Sequence, residues 1–205
     1  MAKAFDRDQL LAALDEIGQA AIEAGTRLDI AVFGGSALLL ASNFRFSTED
    51  VDMAEIGHSW PDWLTSAVKR IADRNGWSDT WLNDAVSFHL SPLAHPTRDL
   101  VAYGTFPRIP DEVGLTICVP SAKYMLALKL KALRVSDFPK GTQDMADVAN
   151  LLRVLHIVDV EEAIAVLREY FPRSAADAGK QRFMLKRLLA SEAPTDAPQY
   201  PRGSL

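Results

Sequence analysis

A single cysteine, Cys118, is present among 205 residues. One thiol excludes an internal disulfide and any cysteine zinc cluster, which removes both the disulfide-stapled secreted scaffold and the zinc finger from consideration. Its setting, Leu115-Thr116-Ile117-Cys118-Val119-Pro120, reads as buried strand. Long apolar runs are missing too: none approaches the roughly 20 residues of a membrane-spanning helix. The start, Met1 to Gln9, carries acids where a secretory leader would be apolar, so the expectation is a cytoplasmic protein that uses no membrane. Histidine is scarce, and His58, His89, His95 and His156 lack the spacing of a metal triad. There is no Walker A loop, GxGxxG, HExxH or internal repeat. The net charge of -5 gives no global attraction to nucleic acid, which leaves only local basic patches for that purpose.

What is present is ordinary for a folded chain. Hydrophobic residues make up 48% and charged residues 24%, which argues against disorder and against a fibre. The length suits one large domain, or a small catalytic domain with a helical annex. Apolar spacing predicts a helix over 6–24, a strand over 28–33, a helix over 36–41 and a strand over 51–56. A further helix follows Pro61 and stops at Asn75-Gly76, with Trp60, Trp63, Trp77 and Trp81 around it as packing residues. Alternation predicts strands over 86–90, 100–103 and 115–119. From Ser121 the pattern turns helical, over 121–135, 141–155, 159–170 and 174–190, and the Pro-rich end reads as a mobile tail. The expectation is thus an α/β (α+β) fold: a small mixed sheet flanked by helices over 1–120, a C-terminal helical bundle over 121–190, and a tail over 191–205.

One stretch, Phe33 to Met53, concentrates the chemistry. Gly34-Gly35-Ser36 sits between an apolar strand and a helix, and glycines let a backbone close in on a ligand. Ser36 is expected as the N-cap, with the first-turn amides and the helix dipole favouring an anion such as a triphosphate. Thirteen residues later come Asp50 and Asp52, two apart on a predicted strand and so on one face. At roughly 6.6 Å of backbone rise they converge on a divalent cation rather than on each other. Like charges side by side repel unless a cation lies between them. An isolated acid-x-acid is more often a pair of solvated turn residues; the glycine turn ahead of it is what favours a site.

This arrangement resembles the nucleotidyltransferase superfamily of polymerase beta-like folds, whose signature is a Gly-Gly or Gly-Ser turn followed by an acid, an apolar residue and an acid. Arg45, Ser47 and Thr48 add to the likeness, since Arg-x-Ser-x-x-Asp-hydrophobic-Asp looks like small bacterial members related to abortive-infection and toxin-antitoxin nucleotidyltransferases. The likeness spans 33–150 and extends to LALKLKAL and QDMAD, which look like the helical pair completing such sites. It implies Asp50 and Asp52 as catalytic metal ligands for one or two Mg²⁺, nucleotide binding by Gly34, Gly35, Ser36, Arg45 and Ser47, and catalytic help from Lys129 and Asp144. Superfamily members often carry a third carboxylate; Asp99, at the start of an apolar run, is preferred over Asp84.

A helical wheel carries the second observation. Lys129 falls within the apolar stripe formed by Ala122, Met125, Leu126, Ala132 and Leu133, while Lys123, Lys131 and Arg134 lie on the polar side. In the next helix Asp144 lies within the apolar face and Asp147 at its edge. An unpaired buried ammonium costs several kcal/mol, so Lys129 needs an anion. Either it pairs with Asp144 as a structural ion pair, or it points at nucleotide phosphates with Asp144 or Asp147 orienting it. The resulting expectation is transfer of NMP from an NTP to an RNA, such as a tRNA, or to a protein acceptor, with a cognate toxin or antitoxin as partner. The basic segment Lys123 to Lys140 is a candidate RNA patch. The alternative is an inactive module of the same fold that acts by binding nucleotide or a protein partner.

Overall fold

The computed structural model describes residues 3–55, 60–133, 140–191 and 196–202. His58, Ile56, Arg134 and Asp137 therefore lie outside the described residues, as does the side chain of Lys140. The chain forms two compact units: Met1–His89 with Leu100–Pro120 and Pro201–Leu205, and Leu90–Asp99 with Ser121–Tyr200. This differs from the expected division at 120 in two respects. Residues 90–99 belong with the helices that follow in sequence, and the chain end returns to the first unit, where the Arg202 amide donates to the Ala41 carbonyl at 2.7 Å. The described part of the expected tail is thus anchored: Tyr200 is buried and Arg153 donates to the Asp196 carbonyl.

In the first unit, helices α1 (Arg7–Glu23), α2 (Gly34–Ala41) and α3 (Asp62–Asn75) flank a five-stranded mixed sheet. Its strands are β1 (Leu28–Phe33), β2 (Val51–Glu55), β3 (Leu82–Asn83), β4 (Leu100–Phe106) and β5 (Leu115–Pro120), in the order β3-β2-β1-β5-β4. The β1–β2 and β4–β5 pairs are antiparallel, while β1–β5 and β2–β3 are parallel. Five of the six residues of the central strand β1 are buried, so both of its faces are covered, and apart from Asp29 the segment LDIAVF is apolar and does not alternate. Asp6 begins α1 with a capping box to Gln9, and Gly76, at φ 70, ends α3 in the left-handed conformation. Trp77 and Trp81 pack with Phe5 in an aromatic cluster, and the Trp81 indole N–H donates to the Val68 carbonyl.

Helix α1 lies on the β4–β5 hairpin with no room for a side chain at the crossing. A Cβ on Gly114 would stand 1.9 Å from the Gly18 carbonyl oxygen, and one on Gly18 would stand 2.4 Å from the backbone of Phe106. Backbone, unlike a flexible side chain, cannot step aside. Gly18→Ala is therefore expected to lose about 1–3 kcal/mol of stability, read as a lowered urea midpoint, while Gly76→Asn, which faces open space, stays near wild type.

Two predicted elements are corrected. The expected strand over 86–90 is a 3-10 turn, Ala85–His89, with no buried residue and Phe88 90% exposed. The Asn83 side chain accepts from the Ala85 amide and the Asp84 carbonyl accepts from the Ser87 amide; this local bonding gives the backbone a turn, so the alternating Val86 and Phe88 do not pair as a strand. The helix expected over 174–190 is two helices, broken at Asp177-Ala178.

The second unit holds α4 (Pro96–Asp99), α5 (Ala122–Ala132), α6 (Lys140–Val154), α7 (Val160–Tyr170), α8 (Pro172–Ala176) and α9 (Gly179–Leu189). Helix α5 packs on α6 and α7, and α7 on α8 and α9. Asp159 caps α7 by accepting from the Glu161 and Glu162 amides. No helix among the described residues is long and apolar enough to cross a membrane.

Candidate active site

The antiparallel register of β1 and β2 sets Phe33 directly opposite Asp52. At Gly34 the chain leaves the strand with φ 62, a left-handed conformation that suits glycine, and enters α2 at once. Phe33 therefore occupies the N-cap position, and no side chain caps the helix. This corrects the expectation for Ser36, which is buried at the third position of the helix and donates its hydroxyl back to the Phe33 carbonyl at 2.8 Å. The first-turn amides of α2 have no partner within the helix, and the positive end of its dipole lies at the same place.

Asp52 presses against this turn. A Cβ on Gly34 would stand 2.9 Å from Asp52 Oδ2, so the missing side chain is what admits the carboxylate. A Cβ on Gly35 would stand 3.0 Å from Arg45 Nη2 and 3.2 Å from Thr48 Oγ1. Arg45 is held over the turn by its Nε, which donates to the Ser47 carbonyl at 2.9 Å. Thr48 donates its hydroxyl to the Asp50 carbonyl at 3.2 Å and reaches Asp50 Oδ1 at 3.4 Å. Gly34, Gly35, Arg45, Thr48, Asp50 and Asp52 are thus gathered about one bend, with Asp50 exposed and Asp52 half-buried. Ser47 contributes its carbonyl; its residue is otherwise exposed.

Phe5, which no sequence pattern marks out, helps to hold this loop in place. Thr48 and Phe5 exchange backbone hydrogen bonds at 2.8 and 3.1 Å, which ties the segment before Asp50 to the Phe5, Trp77 and Trp81 cluster. On the other edge of β2, Asp52 pairs in register with Asn83 of β3, and Asp84 comes next. Beside these two residues a cleft of about 410 Å³ is lined by Trp60, Thr65, Val68 and Leu82.

The two carboxylates pass a simple test for a divalent cation. They are hard oxygen donors at the same turn, where the glycine leaves space that a Cβ would fill. Among the described residues, no three His, Cys, Asp or Glu side chains converge as a ready-made metal cluster. Substrate phosphates or water would have to complete the coordination sphere, as is usual for Mg²⁺.

Asp99 has a different setting from the one expected. It is not a strand-edge acid facing a metal but the last residue of α4, in the second unit, 1% exposed. Its carboxylate accepts from the His95 amide at 2.7 Å, from Arg98 Nε and Nη2 at 2.9 and 2.8 Å, and from the Tyr170 hydroxyl at 2.8 Å. Burial works to raise its pKa, but the Arg98 guanidinium, the His95 amide and the Tyr170 hydroxyl together outweigh it and hold the group at about 2. Burial first, and then the hydrogen bond to Asp99, push the Tyr170 phenol upward. Since the folded pKa is depressed, the stabilisation is complete above the ordinary value of 3.8 and is lost as the pH falls toward 2. That interval corresponds to about 2 kcal/mol. Asp99→Asn should therefore be less stable than wild type by about this much at pH 7, with the gap closing below pH 4, in denaturation series run at each pH.

Lys129 and its acids form a second cluster, wholly within the second unit. Lys129 Nζ donates to Asp144 Oδ1 at 2.9 Å and to Asp147 Oδ2 at 2.7 Å, and Gln143 Nε2 donates to Asp147 Oδ1 at 3.3 Å. Lys129 is 8% exposed and Asp147 fully buried. The ammonium is shared by two carboxylates from α6, an arrangement that bonds α5 to α6. Sequence spacing pointed to Asp144 as the buried partner, whereas the more deeply buried acid is Asp147.

Comparison with known proteins adds little. No protein-family model matches the chain, and no curated protein does so. Among solved structures, the chain is similar to an antigenic nucleotidyltransferase-like protein from Paracoccidioides brasiliensis, at 14% identity and a TM-score of 0.38, over 86% of this chain and 94% of that one.

Proposed function

We propose that this chain is a nucleotidyltransferase that moves a nucleoside monophosphate from an NTP to a hydroxyl of an RNA or protein acceptor. The observation that carries the reading is the Asp52 carboxylate set against Gly34 at the uncapped start of α2, with Asp50 and Arg45 at the same bend. Anion-binding amides and cation-binding carboxylates have little reason to share one turn unless the ligand is a metal-bound phosphate.

In this reading the amides of Gly34 and Gly35 bind the β- and γ-phosphates, helped by the α2 dipole. Arg45, already steered by Ser47, offsets charge on the departing pyrophosphate. Thr48 orients Asp50. Asp50 and Asp52 would hold Mg²⁺, which supplies charge neutralisation of the triphosphate and an α-phosphorus more open to attack. The acceptor oxygen forms its bond to the α-phosphorus as the bond to the bridging oxygen of pyrophosphate breaks, and the acceptor proton passes to solvent. No third acid is assigned: Asn83 is the strand neighbour of Asp52, and strand alternation would turn the next residue, Asp84, to the opposite face. Lys129, Asp144 and Asp147 are assigned to structure, since they satisfy one another.

The toxin-antitoxin setting rests on the Arg45-x-Ser47 string and the LALKLKAL helix alone. A binding-only module is favoured by one observation, the lack of a third converging acid among the described residues. Incubation with each α-labelled NTP, Mg²⁺ and a whole-cell extract separates the readings. Label that becomes nuclease- or protease-sensitive and acid-precipitable is expected; no incorporation from any of the four nucleotides would end the enzymatic reading.

A further inference from the structure

Helix α9, GKQRFMLKRLL, carries Lys180, Arg182, Lys186 and Arg187 and no acid. Its packing divides it cleanly. Gln181, Met184 and Leu185 are buried, and the Gln181 side-chain amide donates to the Leu130 carbonyl of α5. At 100° per residue, Arg182, Lys186, Phe183, Arg187 and Lys180 follow one another around the remaining arc of about 160°. In the middle of this basic arc stands Phe183, 58% exposed, with the Arg187 guanidinium 5.9 Å from its ring centroid.

An exposed phenyl on a helix whose apolar face is already buried does nothing for the core, and it costs solvation. The charge around it is only partly compensated. Arg182 makes a two-pronged pair with Glu161 of α7 at 2.6 and 2.9 Å, and Lys180 donates to the Leu133 carbonyl. Glu161 is also within electrostatic reach of Arg168 and Lys186, so one carboxylate faces three cations there. Neither Lys186 nor Arg187 has an ion-pair partner among the described residues.

We propose that this face of α9 binds single-stranded nucleic acid, with Phe183 and the Arg187 plane stacking an unpaired base and Lys186 and Arg187 contacting the flanking phosphates. An aromatic ring and a guanidinium side by side, within a cationic stripe, match a polyanion that offers flat faces between its charges. A duplex hides those faces in its stack. A membrane would need the apolar side of the helix, which Met184 and Leu185 keep inside the unit. An acidic peptide would satisfy the cations but leave the ring without a flat partner. As the docking surface of the acceptor, the site rests on the transferase reading; as a binding surface it does not, so it is measured without nucleotide or magnesium.

The test is fluorescence anisotropy of the full chain with a labelled single-stranded oligouridylate across a salt series. Phe183→Ala should weaken binding about tenfold with the salt slope unchanged, and Phe183→Trp should retain it. Lys186→Gln with Arg187→Gln should weaken binding and flatten the log Kd against log salt slope by about 1.4. All these positions are exposed, and thermal melts confirm that the variants fold. Wild type that fails to bind, variants that bind as wild type does, or equal binding of polyglutamate or anionic vesicles would overturn the assignment.

Discussion

Asp52→Asn is expected to lower nucleotide incorporation at least about a thousandfold while leaving the melting temperature within a few degrees of wild type. The substitution keeps shape and removes charge. Asn reaches Gly34 as Asp does, and the position on β2 is only half-buried. What it loses is a ligand for the metal, whose charge stabilisation in the transition state is worth several kcal/mol, or three orders of magnitude at about 1.4 kcal/mol per decade. Asp50→Asn should fall in the same direction, because Thr48 holds that carboxylate toward the same bend. Incorporation rates and melts run on the same preparations decide the matter. Full activity in either variant would leave the two aspartates as turn residues and nothing more.

Lys129→Ala is expected to cost about 3–5 kcal/mol of stability, the largest loss foreseen for any single substitution in the helical unit. The cause is not the loss of a favourable pair but the stranding of what remains. Asp147 is fully buried, and without the ammonium it must stay charged in a poor solvent or take up a proton. Asp144 is left beside it with the same sign. Pairing Lys129→Met with Asp147→Leu should therefore recover most of the loss, since an apolar pair of similar volume avoids the desolvation that both charges suffer. Lys123→Ala provides the contrast: its exposed pair with Glu169 should be worth under about 1 kcal/mol. Equal urea midpoints for the Lys129 and Lys123 variants would refute the structural role of the cluster.

How far such features could be read in advance depended on their range along the chain. The Gly34-Gly35 turn, the central strand and the strand that carries Asp52 were legible because each follows from a local pattern, an apolar run with glycines after it and a second apolar run; Asp50, read as sharing a strand face with Asp52, lies one residue before β2. Lys129 was legible for a related reason, as a charge in the middle of an apolar helical stripe. Ser36 was misread because serine favours the N-cap, but the positive φ of Gly34 lets the helix begin two residues sooner, which turns Ser36 into a buried first-turn residue. The alternation of Val86, Phe88 and Leu90 satisfied the strand rule, yet Asn83 and Asp84 form a local turn that takes up that backbone instead.

Longer-range relations left no local trace. Nothing about Phe5 announces that it exchanges hydrogen bonds with Thr48, forty-three positions away, and so positions the loop that carries Arg45 and Asp50. Asp99 looked like the first residue of a strand because Leu100 to Tyr103 does extend from it; its actual partners, Arg98 and Tyr170, come from a four-residue helix and from α7. A carboxylate at a strand edge and one engaged by an arginine and a tyrosine look alike until the partner seventy-one residues later is known.

The measurement that bears most directly on the bend at Gly34 is calorimetric titration of each NTP into the protein, with Mg²⁺ and then with EDTA. Binding of at least one NTP that requires Mg²⁺, and that disappears in both Asp52→Asn and Gly35→Val, is the result predicted here. Nucleotide binding that is indifferent to Mg²⁺ and survives both substitutions, or no binding by any of the four, would contradict it.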